Sequence, residues 1–292
     1  MLGAIEAGGT KFVCAIGTKE GKLIERIQID TLTPDETMPH VISFFQKHKI
    51  EALGIGSFGP IDIEKTSDTY GYITSTPKTG WGNYPFVETM KTALNIPIEF
   101  NTDVNAAALG ELMHGAAQGL DSCLYITVGT GIGAGAVVQG KLLQGLSHPE
   151  MGHVPVRRHP DDTYKGRCPY HRDCAEGMAA GPAIEERWGG RAHLLADRQE
   201  VWEMEAYYLA QTLMQYILIL SPKKIIMGGG VMKQAQIFPL VHQQVQDLLN
   251  GYVAVPQIIE RMDEYIVSPA LGDDAGIIGA LMLAKQAFEE SL

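Results

Sequence analysis

His153, Cys168, His171 and Cys174 are the residues of this 292-residue chain whose types and spacing carry the most chemistry. The last three form a Cys-x2-His-x2-Cys run inside Cys168-Pro169-Tyr170-His171-Arg172-Asp173-Cys174, and His153 supplies a fourth donor upstream. Two thiolates with two imidazoles match the tetrahedral preference of structural zinc. Pro160, Gly166 and Pro169 punctuate the segment, so an ion would organise a loop with little core of its own. The bland alternative is a surface loop with incidental His and Cys. Redox chemistry is disfavoured because no Cys-x-x-Cys occurs. Four protein ligands also leave no open position for water, which weighs against a zinc hydrolase.

A second constellation is Glu99-Phe100-Asn101-Thr102-Asp103-Val104-Asn105-Ala106, where a strand gives way to a helix. Asp in such a place is commonly an N-cap. The functional reading is a carboxylate that accepts the proton of a sugar hydroxyl as it attacks the γ-phosphate of ATP, with Asn101 orienting the sugar. Glu150 and Glu176 flank the candidate metal loop; with the loop fixed, both face one pocket and bind sugar hydroxyls, whereas either alone reads as a surface charge.

Two glycine-rich turns supply the complementary chemistry. Gly8-Gly9-Thr10-Lys11 and Gly129-Thr130-Gly131-Ile132-Gly133 each sit between strand-like runs. In such a turn backbone N–H groups can point at an anion, and glycine permits close approach. Each alone reads equally well as a tight hairpin, but their equivalent places in two similar halves favour a nucleotide. Ile225-Ile226-Met227-Gly228-Gly229-Gly230-Val231 is a buried strand ending in consecutive glycines, against which an adenine can lie flat. No Walker loop occurs, and the second turn leads into a strand, which disfavours a dinucleotide-binding dehydrogenase.

The elements that position these groups follow from periodicity. Leu2–Ala7, Phe12–Gly17, Lys22–Ile29, Ala52–Ser57, Pro97–Asn101, Ser122–Val128, Gly133–Gln139 and Lys223–Met227 read as strands. Pro34–His48, Val104–Gly115, Met178–Arg187, Val201–Leu220 and Ile277–Glu289 read as helices. The Gly/Pro/Thr-rich stretch from 59 to 85 is long enough to be a functional loop. Strand, glycine turn, strand, helix, strand, helix therefore appears twice, the second time from about Asp121. The pattern predicts two α/β domains with a central active-site cleft: 1–117, joined by a C-terminal helix within 277–292, and 118–276 carrying the metal loop.

Composition bounds the function. Hydrophobic residues make up 45% and charged residues 20%, ordinary for a soluble globular chain. The net charge of −11 argues against sequence-independent affinity for nucleic acid or anionic membrane. No signal segment or spanning stretch is evident, which makes the cytoplasm the expected compartment. Cys14 and Cys123 sit in apolar strands as small hydrophobes.

With these residues in place, the chain resembles a ROK-family sugar kinase, and within that family the zinc-containing bacterial fructokinases. The likeness runs nearly end to end. It includes Glu6-Ala7-Gly8-Gly9-Thr10-Lys11, Thr76-Pro77-Lys78-Thr79-Gly80-Trp81-Gly82-Asn83, Asn101-Thr102-Asp103-Val104-Asn105, Glu150-Met151-Gly152-His153, the metal run and Gly181-Pro182-Ala183-Ile184. The resemblance implies ribonuclease-H-like (actin/hexokinase-type) domains and transfer of the ATP γ-phosphoryl group to a hexose 6-hydroxyl, fructose first. It implies Asp103 as base; Asn83, Asn101, Glu150, His153 and Glu176 on the sugar; and structural zinc on His153, Cys168, His171 and Cys174. Gly8, Gly9, Thr10, Lys11, Gly129, Thr130, Gly131, Pro182, Gly228, Gly229, Gly230, Val231, Met232 and Lys233 would serve ATP, and the protein would be a homodimer. Relatives in the wider superfamily have Asp where Glu6 stands, near Mg²⁺ through water; the longer side chain puts direct contact in question. His171 points to the fructokinase branch, because the glucokinase-like branch has a cysteine-richer run.

Two other readings compete: a mannose or glucose kinase, and a sugar-responsive regulatory protein without turnover. Asp103 together with both turns favours a kinase. From sequence separation alone, loss of zinc should weaken sugar binding more than nucleotide binding, because the glycine turns lie far along the chain from the metal run.

Overall fold

In the computed structural model, which describes residues 1–292, the strand-like runs become two five-stranded sheets. The elements in chain order begin β1 (Leu2–Ala7), β2 (Lys11–Gly17), β3 (Leu23–Asp30), α1 (Pro34–Gln46), β4 (Ala52–Ser57), β5 (Tyr72–Ile73), β6 (Tyr84–Pro85), α2 (Phe86–Leu94), β7 (Ile98–Thr102) and α3 (Asp103–His114). There follow β8 (Cys123–Val128), β9 (Ile132–Val138), β10 (Lys141–Leu142), α4 (Ala175–Ala179), α5 (Gly181–Trp188) and α6 (Gln199–Leu220). The last are β11 (Ile225–Gly228), α7 (Ile237–Leu249), α8 (Pro256–Ile259), α9 (Met262–Tyr265), β12 (Ile266–Val267) and α10 (Ala275–Glu290).

The chain divides into two units: residues 1–119, 142–149 and 274–292 form one, and 120–141 with 150–273 the other. In the first, the sheet runs β3-β2-β1-β4-β7, with β1 antiparallel to β2 and parallel to β4. β4 is buried along its whole length, as a strand covered on both faces must be, whereas edge strand β3 alternates apolar with charged residues. Phe12, Phe45, Trp81, Phe86 and Phe100 fill one apolar cluster, while Leu2, Ala106, Leu109, Ile277 and Leu281 fill another under α3 and α10. α10 approaches α3 so closely that a Cβ on Gly279 would collide with the Ala106 carbonyl.

The second unit repeats the arrangement, β10-β9-β8-β11-β12, with β8 antiparallel to β9 and parallel to β11. The stretch 142–149 belongs to the first unit, which differs from the sequence boundary of 118–276. The reason is local: His148 Nε2 accepts the Ile61 N–H at 3.0 Å, and Gln144 Nε2 donates to the Ile63 carbonyl at 3.3 Å. The expected single helix Met178–Arg187 is instead α4 and α5. Ala180 is extended (φ −70°, ψ 155°), and Pro182, lacking an N–H, begins a new helix.

The long connection from 150 to 174 carries little regular structure, a 3-10 turn at Met151–His153 and isolated bridges pairing Pro155 with Cys174 and Cys168 with Arg172. A buried polar cluster fastens it to the helices. Arg187 of α5 pairs with Asp162 at 3.1 Å and donates to the Met178 carbonyl at 2.8 Å, and the Tyr208 hydroxyl donates to Asp162 at 2.6 Å. Glu205 of α6 lies buried in the same unit with neither carboxylate oxygen hydrogen-bonded. Burial therefore raises its pKa well above the usual carboxylate range, opposed only in part by Arg187.

A raised acid pKa stabilises the fold most below the unfolded value and costs stability as pH climbs toward the folded value. Glu205→Gln removes that dependence. The variant's Tm should exceed wild type at pH 8, by about 2–4 °C for each 1 kcal/mol relieved, and the gap should close near pH 4. A gap that does not change with pH in calorimetry would show Glu205 to be uninvolved.

Candidate functional site

In the first unit, the β1–β2 turn is closed by Gly8 N–H donating to the Lys11 carbonyl at 3.0 Å. Thr31, past the end of β3, holds this turn from outside: its hydroxyl donates to the Gly8 carbonyl at 2.8 Å and its N–H to the Thr10 carbonyl at 3.0 Å. With the carbonyls engaged, the turn's remaining N–H groups can meet an anion. Thr10 and Lys11 are exposed at its tip. Glu6, in β1 two residues before Gly8, packs its carboxylate against Gly276 at the start of α10.

Asp103 does not cap α3. The cap is Thr102, whose hydroxyl accepts the Asn105 N–H at 3.1 Å, and Asp103 occupies the first helical position. Its Oδ1 accepts the Val104 N–H at 2.8 Å, and the carboxylate is half-buried. The first turn of a helix is a place where a negative charge is favoured by the helix dipole. Asn101 is buried, and its Oδ1 accepts from Thr102 N at 2.9 Å and Asn105 Nδ2 at 2.8 Å, so it braces the strand-to-helix corner behind Asp103. Asn83 is exposed in a left-handed conformation (φ 57°), with its N–H donating to the Thr74 carbonyl at 3.0 Å.

In the second unit, three glycine-containing segments from distant parts of the chain converge. Gly181 N–H donates to the Gly129 carbonyl at 2.7 Å, which sets the start of α5 and Pro182 beside the β8–β9 turn. Gly229, left-handed at φ 92°, lies so close to Val128 that any side chain would strike its backbone. Gly129–Gly131, Pro182 and Gly228–Gly230 thus share one neighbourhood. Val231 and Met232 are buried, and Lys233 pairs with Asp273 at 2.8 Å on the surface.

The four metal-ligand candidates come together as their spacing implies. His153 Nδ1 lies 3.8 Å from Cys168 Sγ and 3.5 Å from Cys174 Sγ, and His171 Nδ1 lies 3.6 Å from Cys168 Sγ. All four donor atoms fall within 4.8 Å of one another. A tetrahedral zinc with ordinary bond lengths separates sulfur from nitrogen by about 3.6 Å, so the donor set fits the ion. Burial, with Cys168 beside it, pushes the Cys174 thiol up to about 12, so a thiolate forms here only with a cation in contact.

The metal segment is not remote from the second glycine turn. Cys174 caps α4, its Sγ accepting the Gly177 N–H at 3.4 Å, and Glu176 in the first turn of α4 accepts the Ile132 N–H at 3.1 Å. On the other side, Gly152 packs so tightly on the Ile132 carbonyl that a Cβ there would overlap it. Both ends of the metal segment therefore grip the residue that closes the turn. The separation of the metal run from the second glycine turn along the chain is thus not a separation in space: Glu176 touches that turn directly. Sequence reasoning also missed His148, Thr31 and the Asp162–Arg187 pair. The His148-Pro149-Glu150 context was a signal for the first; the others carry none.

Comparison with known proteins agrees with this architecture. The ROK family profile matches residues 2–287, and the chain belongs to the ROK family. It is 61% identical over 289 residues to a Bacillus subtilis (strain 168) protein whose name gives fructokinase as its expected activity, covering 99% of this chain and 97% of that one. It is 45% identical over 291 residues to the fructokinase of Pediococcus pentosaceus, with both chains covered completely. The crystal structure of the ROK hexokinase from Thermus thermophilus superposes with a TM-score of 0.80 at 25% identity, covering 99% of each chain.

Cys174→Ser should lose zinc by metal analysis and lower Tm. Because Cys174 caps α4 and Glu176 lies in its first turn, titrations should show nucleotide and hexose affinity falling together. Unchanged nucleotide affinity in a zinc-free variant would uncouple the metal from the turn.

Proposed function

We propose that this protein is an ATP-dependent hexose kinase that phosphorylates the 6-hydroxyl, with fructose as the preferred sugar. The observation that carries the reading is the end-to-end identity with proteins named fructokinase, joined to a non-capping carboxylate at Asp103. In this reading Asp103 accepts the proton of the sugar 6-hydroxyl as that oxygen attacks the γ-phosphorus. The bond from γ-phosphorus to the β–γ bridging oxygen breaks, and ADP leaves with the bonding electron pair. Mg²⁺ accompanying ATP would supply charge neutralisation on the phosphates. The backbone of Gly8–Lys11 and Gly129–Gly131 receives phosphate oxygens, and Pro182 with Gly228–Gly230 borders the adenosine. Glu6 serves the Mg²⁺ region through water.

Asn83, Glu150, His153 and Glu176 bind sugar hydroxyls, with Asn101 bracing the base. Zinc, held by His153, Cys168, His171 and Cys174, fixes the segment carrying three of these groups. The family resemblance also supports a homodimer working in the cytoplasm; no helix is long and apolar enough to cross a membrane.

A coupled ADP-release assay across fructose, mannose and glucose tests the reading, with fructose expected to give the highest kcat/KM. Asp103→Asn should cut kcat by about 10²–10⁴ while sugar and nucleotide titrations stay near wild type. Near-normal kcat in that variant would remove Asp103 from the mechanism, and absence of turnover with every hexose would refute the kinase reading.

A further inference from the structure

The loop from 74 to 83 holds a basic residue to which no role has yet been given. Lys78 Cε stands 3.5 Å from the position a Cβ on Gly9 would take, so the side chain lies along the β1–β2 glycine turn. The loop that presents it is anchored on several sides. Trp81 is fully buried, and its indole N–H donates to the Leu32 carbonyl at 2.7 Å. Thr74 N–H donates to Pro60 at 2.8 Å, Asn83 N–H to Thr74 at 3.0 Å and Trp81 N–H to the Lys78 carbonyl at 3.1 Å. A lysine on a braced loop reaches its target with less conformational freedom to lose.

The charge balance around it is informative. A cavity of about 510 Å³ opens beside the turn, lined by Thr31, Thr33, Glu36, Lys78, Thr79 and neighbouring apolar groups. Lys78 is the single cation in that lining. The one carboxylate there, Glu36, is already engaged by the Thr33 hydroxyl at 2.5 Å and the Thr33 N–H at 3.1 Å. The salt bridges of the structure do not include Lys78, although acidic residues outnumber basic ones in this chain, 34 to 23. An uncommitted ammonium laid against a turn whose N–H groups suit an anion is a phosphate-binding arrangement.

We propose that Lys78 is a catalytic residue that contacts the transferring phosphoryl group, its ammonium meeting the negative charge on the γ-phosphate oxygens while the Gly8–Lys11 backbone holds the same group. The inference rests on the kinase reading and adds an electrophilic partner to Asp103. Lys78 moves no proton: the bonds made and broken are those of phosphoryl transfer from ATP to the sugar, and the ammonium stays charged throughout. Threonines lining the cavity cannot substitute, since they bring no net charge to a trianionic centre.

The test compares Lys78→Met, Lys78→Gln and Lys78→Arg with the wild-type full chain. Steady-state kinetics with fructose and ATP–Mg²⁺ are read beside calorimetric titrations of a non-hydrolysable ATP analogue, of ADP and of fructose, with Tm measured for each variant. Lys78→Met and Lys78→Gln should lower kcat by about 10²–10³, the range for losing one donor at a developing charge. They should weaken the ATP analogue more than ADP and leave fructose affinity within about two-fold. Lys78→Arg should recover affinity for the ATP analogue. Unchanged kcat, an effect confined to fructose, equal weakening of ADP and the ATP analogue, or losses that merely track Tm in all three variants would overturn the assignment. Wild-type turnover with an unaffected Lys78→Met refutes this inference alone. Absence of wild-type turnover refutes the kinase reading, and the analogue titrations still decide whether Lys78 binds the γ-phosphate.

Discussion

Backbone N–H groups in a glycine-rich hairpin turn receive an anion well only if the turn is already held in shape, because an unconstrained glycine turn loses much conformational entropy on binding. Both turns here meet that constraint with partners from outside the hairpin. In the first unit Thr31 takes two roles, donating its hydroxyl to Gly8 and its N–H to Thr10. In the second, Gly181 donates to Gly129, and Glu176 accepts from Ile132. In each case turn atoms are engaged by groups on the supporting scaffold, and the turn is fixed before any ligand arrives.

In the second unit this support extends to the metal. A loop of more than twenty residues without strands or a core of its own cannot hold a carboxylate steadily against a turn. Two anchors do so instead. One is the tetrad of His153, Cys168, His171 and Cys174, which caps and positions α4 through Cys174. The other is the buried Arg187–Asp162 pair with Tyr208, which ties the middle of the loop to α5 and α6. Breaking one partner of such a pair strands a buried charge, so the pair is costly to dismantle even where its net contribution is small. The two anchors act on different stretches, and Glu176 lies two residues beyond Cys174, at the tetrad end.

The chemistry-bearing residues were legible because their signals are local. Four ligands with fixed spacing, paired glycine turns, and a carboxylate where a strand yields to a helix depend on the order of residues alone. The same holds for the strand runs, whose β-branched and apolar residues read as buried sheet wherever they fold. Even the duplication of strand, turn, strand and helix shows in the chain, since each copy repeats the same local preferences.

What the tertiary structure decided is which distant residues share a neighbourhood. Thr31 serves the first turn, Glu176 the second, His148 fastens residues 142–149 to the first unit, and Lys78 lies along Gly9. None of these pairings leaves a trace in periodicity or spacing, because each depends on how separately formed elements dock. Asp103 shows the boundary between the two kinds of information. Its place at a helix start was plain in the sequence, but only the fold shows that Thr102 takes the capping role. The Thr102 hydroxyl takes the Asn105 N–H while Asp103 Oδ1 takes the Val104 N–H, a division of partners that depends on the folded geometry of the corner.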